Sequence, residues 1–177
     1  MKSEQIRNLA LSGVLAALCT VATIVIQIPS PLGGYIHLGD AVVLLCGFLL
    51  GPVWGAAAAG IGSMAADLIT GYMLYAPGTL VIKALVALCA ALVGRTLLQK
   101  HPTSKLPFLI AALLGEAVMV VGYFLYSALL MGKGFAAVEG VTSNLVQAVA
   151  GIVISEVVLI ALSRTSFFKT RFTAQSN

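Results

Sequence analysis

The chain has 177 residues, of which 60% are hydrophobic and only 9% charged, with a formal net charge of +4 and a mean hydropathy of +1.06. Soluble domains carry about 25% charged and about 45–50% apolar residues, so a soluble enzyme domain, a nucleic-acid-binding module and a disordered chain are excluded. A membrane-crossing helix uses roughly 20 apolar residues; six such spans fit, with short loops and no second folded domain.

The first apolar run, 6–28, follows Lys2 and Arg7. It is too long for a signal-peptide core of about 7–15 residues and reads as a retained span. The stretch 29–34 (Pro-Ser-Pro-Leu-Gly-Gly) breaks it, and a loop is expected to continue through Tyr35, His37 and Gly39. Segment 40–50 is apolar but too short to cross about 30 Å of hydrocarbon as a helix; it is expected to be tilted or partly embedded. Gly51-Pro52 makes a turn with Pro at a helix start. Span 53–68 is crowded with Gly, Ala and Ser, which let helix backbones approach closely in lipid. A loop at 69–78 carries Tyr72, Tyr75 and Pro77. Spans 79–98, 107–131 and 141–162 follow, separated by a polar, basic loop with Pro102 and a Gly-rich loop at 132–140, and ended by a basic tail. Cys19, Cys46 and Cys89 all lie in apolar runs and read as small buried hydrophobes.

Six crossings put both tails on one side together with Lys2, Arg7, Arg95, Lys100, Lys105, Arg164, Lys169 and Arg171, against Lys133 alone on the other. The excess of basic residues in cytoplasmic loops then places both tails in the cytoplasm. On that orientation His37, Asp40, Asp67, Tyr72, Tyr75, Lys83, Asn144 and Gln147 belong to the outer half. Ionisable groups inside hydrocarbon are costly and are functional candidates, which singles out Lys83, Glu116 and Glu156. Glu116, Met119, Tyr123 and Tyr126 share a helix face, as do Asn144 and Gln147. Two acids, a cation, two amides and several aromatics suit a small, polar, heteroaromatic guest: rings stack and amides read heteroatoms.

Each candidate has a structural alternative. Asp40 reads equally as an N-cap. Asp67 reads as an ion-pair partner that neutralises Lys83. Tyr72 and Tyr75 read as interface-belt aromatics, His37 as a solvated loop residue, Tyr123 as packing, and Asn144 and Gln147 as interhelical hydrogen bonds. Glu139 reads as solvated. No phosphate-cradling G-x-x-x-x-G-K-[ST] and no HExxH or paired-His metal spacing is present. Ser63 has no His within a span to activate it, since His37 and His101 fall in loops. No catalytic residue, metal site or cofactor is expected, and without a nucleotide motif the chain has no means of its own to hydrolyse ATP.

Ser12 and Ala16, and Gly13 and Ala17, form small-xxx-small pairs on the first span. They suit either internal packing or docking of another membrane protein. Together with Tyr35-Ile36-His37-Leu38-Gly39-Asp40, Gly47-Phe48-Leu49-Leu50-Gly51-Pro52-Val53-Trp54-Gly55, Ala66-Asp67 before Gly71-Tyr72, and 76–83 ending in Lys83, this pattern resembles the substrate-binding S components of energy-coupling factor (ECF) vitamin transporters. It is most similar to the branch for hydroxymethylpyrimidine, pyridoxine-like and riboflavin-type substrates. The resemblance implies an all-α, six-span bundle in a prokaryotic plasma membrane that binds a vitamin near its outer face. It implies partners too: a transmembrane coupling protein, docked through Ser12, Gly13, Ala16 and Ala17, and two cytoplasmic ATPase subunits that would use the ATP. The family pattern at the docking face is Ala-xxx-Ala, where this chain has Gly and Ser substitutes. For the vitamin, the resemblance selects His37, Lys83, Glu116, Tyr123, Asn144 and Gln147, with Tyr72 and Tyr75 on a lid loop.

The expectation is therefore a non-enzymatic capture subunit for a small heteroaromatic vitamin or precursor, hydroxymethylpyrimidine or pyridoxine-like ahead of riboflavin. In it Lys83 contacts a polar or anionic substituent, and Glu116, Asn144 and Gln147 hydrogen-bond ring atoms. The alternative is a stand-alone, proton-coupled transporter using Asp40, Asp67 or Glu116. Nucleic acid is no partner in either.

Overall fold

The computed structural model describes residues 3–29, 35–100 and 104–165. The turn at 30–34, the Pro102 stretch with His101, Lys2 and the basic tail with Lys169 and Arg171 lie outside the described residues. Among the described residues six α-helices form the architecture: α1 (Ser3–Val25), α2 (Gly39–Leu50), α3 (Pro52–Thr70), α4 (Ala76–Lys100), α5 (Leu106–Leu125) and α6 (Glu139–Leu162). Five of the helical segments are long and apolar enough to cross a membrane; α2 is the short one.

The short segment has a physical solution other than tilting at the lipid boundary. All twelve residues of α2 are buried. It packs against α1, α3, α4 and α6, so it sits inside the bundle and lipid does not set its length. Gly51 ends it at a positive φ (+81°) that glycine tolerates, and Pro52 starts α3, which reverses the chain in one residue. The other helices turn large aliphatic side chains outward, among them Val14, Val21, Val53, Leu92, Leu113, Val149 and Val157. In water such a surface would drive association; in hydrocarbon it is solvated.

Three differences from the expected organisation lie at one end. Residues 35–37, expected as loop, form a strand: β1 (Gln27–Pro29) pairs antiparallel with β2 (Tyr35–His37), Ile28 opposite Ile36. Three residues per strand are too few for an alternation pattern to declare itself. The α5 rod does not continue evenly to 131 but loosens into a π-helical turn at Tyr126–Leu130. The Gly-rich loop contains a 3-10 turn at Gly134–Val138.

The first helix divides its small residues between two faces. Ser12 is buried and Ala16 partly so, and Ala16 lies directly against Gly62 of α3. Gly13 and Ala17 face outward, and a side chain at Gly13 would meet nothing within 4 Å. Ser12 and Ala16 therefore serve internal packing, and only Gly13 and Ala17 remain as an open small-residue face. Two glycine substitutions separate these roles. Gly62→Ala pushes a methyl into the Ala16 backbone and is expected to cost about 1–3 kcal/mol. Gly13→Ala is expected to be neutral or stabilising by up to about 1 kcal/mol, because the helix interior gains propensity without a clash. Thermal unfolding of the detergent-solubilised protein checks both; equal effects would contradict this division of faces.

Candidate functional site

The most polar part of the interior is built across five elements. Lys83 on α4 and Asp40 in the first turn of α2 form an ion pair with both side chains at 0% exposure. The second Asp40 oxygen accepts from Gln147 Nε2 at 2.5 Å, and Gln147 Oε1 accepts the His37 backbone N–H at 3.1 Å. Lys83 Nζ and Gln147 Nε2 also donate toward Met119 Sδ on α5, at 3.0 and 3.4 Å. Gly151 on α6 makes room for this: a side chain there would come within 2.9 Å of Asp40 Cβ. Two expectations change. Lys83 pairs with Asp40 and not with Asp67. Asp40 makes no capping bond, since α2 has no side-chain cap at all; its carboxylate is spent on Lys83 and Gln147.

Glu116 lies in the same interior region at 2% exposure, close enough to feel the charges of Asp40 and Lys83, and neither of its oxygens has a hydrogen-bond partner. Glu156 is half-buried near Lys105 at the other end of the bundle, and Glu139 is exposed.

Above this layer opens a cavity with about 640 Å³ of free space counting its mouth. Its walls are tyrosine rings and polar groups: Tyr35 and His37 from β2, Asp67 from α3, Tyr75, Tyr123, and Asn144 with Gln147 from α6. Of the residues expected from sequence, His37, Tyr75, Tyr123, Asn144 and Gln147 border the cavity. Lys83 and Glu116 do not; they lie in the polar layer, with Lys83 Nζ 5.3 Å from the centre of the Tyr123 ring. Tyr72 stands one ring further out, 4.5 Å from Tyr35 and 6.4 Å from Tyr75 between ring centres. Tyr35, Asp67, Thr79, Ser127 and Lys133 also line it, with Ala136, Ala137, Gly140 and Ser143. Tyr35 had a signal in the sequence: it is two residues from His37, so on a strand both point to one face.

His37 is no solvated loop residue. It is 7% exposed, and its Nδ1 accepts the Gly39 backbone N–H at 3.0 Å. Burial pushes its pKa down to about 4, so near neutral pH it presents a neutral ring. Across the mouth, Lys133 donates to the Tyr75 hydroxyl at 3.2 Å and Tyr126 donates to the Leu74 carbonyl at 2.7 Å. The 126–133 region is thus fastened to the loop between α3 and α4. Chemically the site can stack a flat ring and satisfy several of its heteroatoms. Among the described residues no cluster of three or more His, Cys, Asp or Glu is arranged to hold a metal.

Removing one partner of a buried ion pair costs about 3–5 kcal/mol, whereas removing both charges together is often near neutral. Lys83→Met is therefore expected to destabilise the protein by that amount, and Asp40→Asn with Lys83→Met to recover most of it. Denaturation in detergent tests this; a Lys83→Met protein as stable as the wild type would contradict the pairing. A histidine held at about 4 when folded and near 6.5 when unfolded leaves stability intact above pH 6.5 and erodes it as pH falls toward 4. His37→Gln is expected to flatten that part of the melting-temperature profile, and an unchanged profile would contradict the burial of His37.

The comparisons with known proteins agree with this architecture. Residues 3–164 match the family model described as the S component of ECF-type riboflavin transporters. A Pyrococcus woesei protein designated "Uncharacterized protein in gap 3′ region" is 40% identical over 136 residues, covering 76% of this chain and 87% of its own length. A solved S component of a bacterial ECF transporter superposes with a TM-score of 0.67 at 19% identity, covering 90% of this chain and 96% of that one. The S component for biotin of an ECF-type ABC transporter superposes with a TM-score of 0.70 at 21% identity, covering 97% and 98%. At these identities the two structures establish the fold alone.

Proposed function

The chain belongs to the S-component family of ECF transporters, and on that premise we propose that its cavity captures a small heteroaromatic vitamin or vitamin precursor for import. S components are multi-pass membrane proteins of the prokaryotic plasma membrane and are substrate-binding subunits of transporters, not enzymes. The observation that carries the substrate class is the cavity wall: Tyr35, Tyr75 and Tyr123 rings beside His37, Asn144 and Gln147. Aromatic faces hold a flat ring by stacking, and amides offer donors and acceptors in fixed directions. The family description makes riboflavin the first ligand to test. Pyridoxine and hydroxymethylpyrimidine share the flat nitrogen heterocycle and are the next two.

In this reading the cavity faces outward. Arg7, Arg95, Lys100, Lys105 and Arg164 lie at the other end, the cytoplasmic one by the distribution of positive charge. Lys83 and Glu116 act from below, Lys83 by holding Asp40 and Gln147 in place under the ligand. The outward face of α1 with Gly13 and Ala17 is the surface offered to a transmembrane coupling protein, and two ATPase subunits supply the energy.

Isothermal titration of the purified protein with riboflavin, pyridoxine and hydroxymethylpyrimidine tests the capture function. One of the three is expected to bind at micromolar concentration or below. Asn144→Ala is expected to weaken that ligand about 10-fold, the worth of about one hydrogen bond, with an unchanged melting temperature. Absence of binding by all three, or uptake by the chain alone that an uncoupler abolishes, would overturn the reading.

A further inference from the structure

Asp67 is delivered to the cavity by the way α3 ends. Gly71 adopts a left-handed conformation (φ +87°), and the backbone N–H groups of Gly71 and Tyr72 both donate to the Asp67 carbonyl, Tyr72 at 2.8 Å. Such an end fixes the register of the last turn. The Asp67 side chain borders the cavity, yet the residue is only 4% exposed. Its Oδ1 accepts the Tyr35 hydroxyl at 2.6 Å, and its Oδ2 has no hydrogen-bond partner.

The Thr79 hydroxyl lies beside the Asp67 carboxyl, but it and the other neighbouring groups are hydrogen-bonded to one another or to other residues. The hydroxyls of Thr79 and Tyr123 share a hydrogen bond of 2.9 Å with each other. Lys133, the one lysine or arginine bordering the cavity among the described residues, donates to Tyr75, and Lys83 is held by Asp40. Burial and the adjacent carboxylate raise the Tyr35 phenol well above its ordinary value. Tyr35 thus stays an O–H donor and holds the carboxyl by one oxygen while leaving the other open. A buried acceptor without a partner costs free energy that an incoming donor recovers.

We propose that Asp67 Oδ2 is a specificity-determining acceptor of this cavity, taking a hydrogen bond from an N–H, NH₂ or O–H donor on the edge of the heteroaromatic ligand. The inference rests on the capture function proposed above and narrows its ligand class. Rings with an imide, amino or phenolic edge are accepted. The same rings with that edge methylated or stripped of its donor are rejected, because the carboxylate oxygen then stays unpaired. A carboxylate at that edge is rejected as well, since it brings no donor to the open oxygen.

The test uses the full-length protein and three probe pairs: riboflavin and its imide-N-methyl derivative, pyridoxine and its phenol methyl ether, hydroxymethylpyrimidine and the analogue lacking its amino group. For whichever parent binds, the blocked analogue is expected to bind the wild type about 10- to 100-fold more weakly, as for a hydrogen bond to a charged group. In Asp67→Asn, which keeps an oxygen for Tyr35, that gap is expected to shrink to less than about 3-fold, the coupling that a double-mutant cycle measures. If Asp67→Asn does not fold, Asp67→Ser takes its place in the same comparison. A parent that binds without discrimination, or a gap unchanged in Asp67→Asn, overturns the role of Asp67 and leaves capture standing. Failure of all three parents to bind overturns both.

Discussion

A lysine and an aspartate sealed together inside a lipid-clad bundle constrain everything above them. Isolated charges removed from water cost several kcal/mol each even after relaxation, and no water is at hand in a bilayer interior to relieve them. Lys83 and Asp40 solve this by meeting each other, with Gln147 and Met119 taking further valences. The consequence is geometric. α2 is held to α4 by a charge pair, and to α6 by an amide. Through the His37 N–H the same amide reaches β2, so the floor of the cavity and the hairpin beside it belong to one hydrogen-bonded unit.

That unit explains why polar residues are so unevenly distributed in a chain with so few of them. The outward faces carry aliphatic side chains, and among the described residues the charged groups away from the basic end, the exposed Glu139 apart, gather around the cavity or beneath it. Buried polar networks specify a unique arrangement when every member is satisfied. Here the layer around Asp40 is nearly so, while Asp67 Oδ2 and both Glu116 oxygens are left over. One of these open acceptors borders the cavity, where a guest can complete it.

The sequence made the fold class and the helix succession legible, because hydropathy reports the solvent and Gly and Pro mark the interruptions. The cost of ionisable groups at membrane depth pointed to Lys83 and Glu116, which lie beneath the cavity, while the resemblance pointed to His37, Tyr123, Asn144 and Gln147, which border it. What the sequence left open was pairing. Asp40 and Asp67 are equally plausible partners for Lys83 by charge alone, and the choice depends on α2 being threaded through the centre, where its first turn meets α4. The helical phase of α1 is another case: Ser12 and Gly13 are adjacent, yet one is buried and the other faces out. The two short strands escaped because three residues carry no period.

A structure of the protein bound to the vitamin it retains most tightly tests the central claim most directly. The account predicts a flat ring between Tyr75 and Tyr123 with Asn144 at its edge, lying above an intact Asp40–Lys83–Gln147 layer. A ligand seated elsewhere in the bundle, or one that reaches Lys83 by breaking its pair with Asp40, would contradict it.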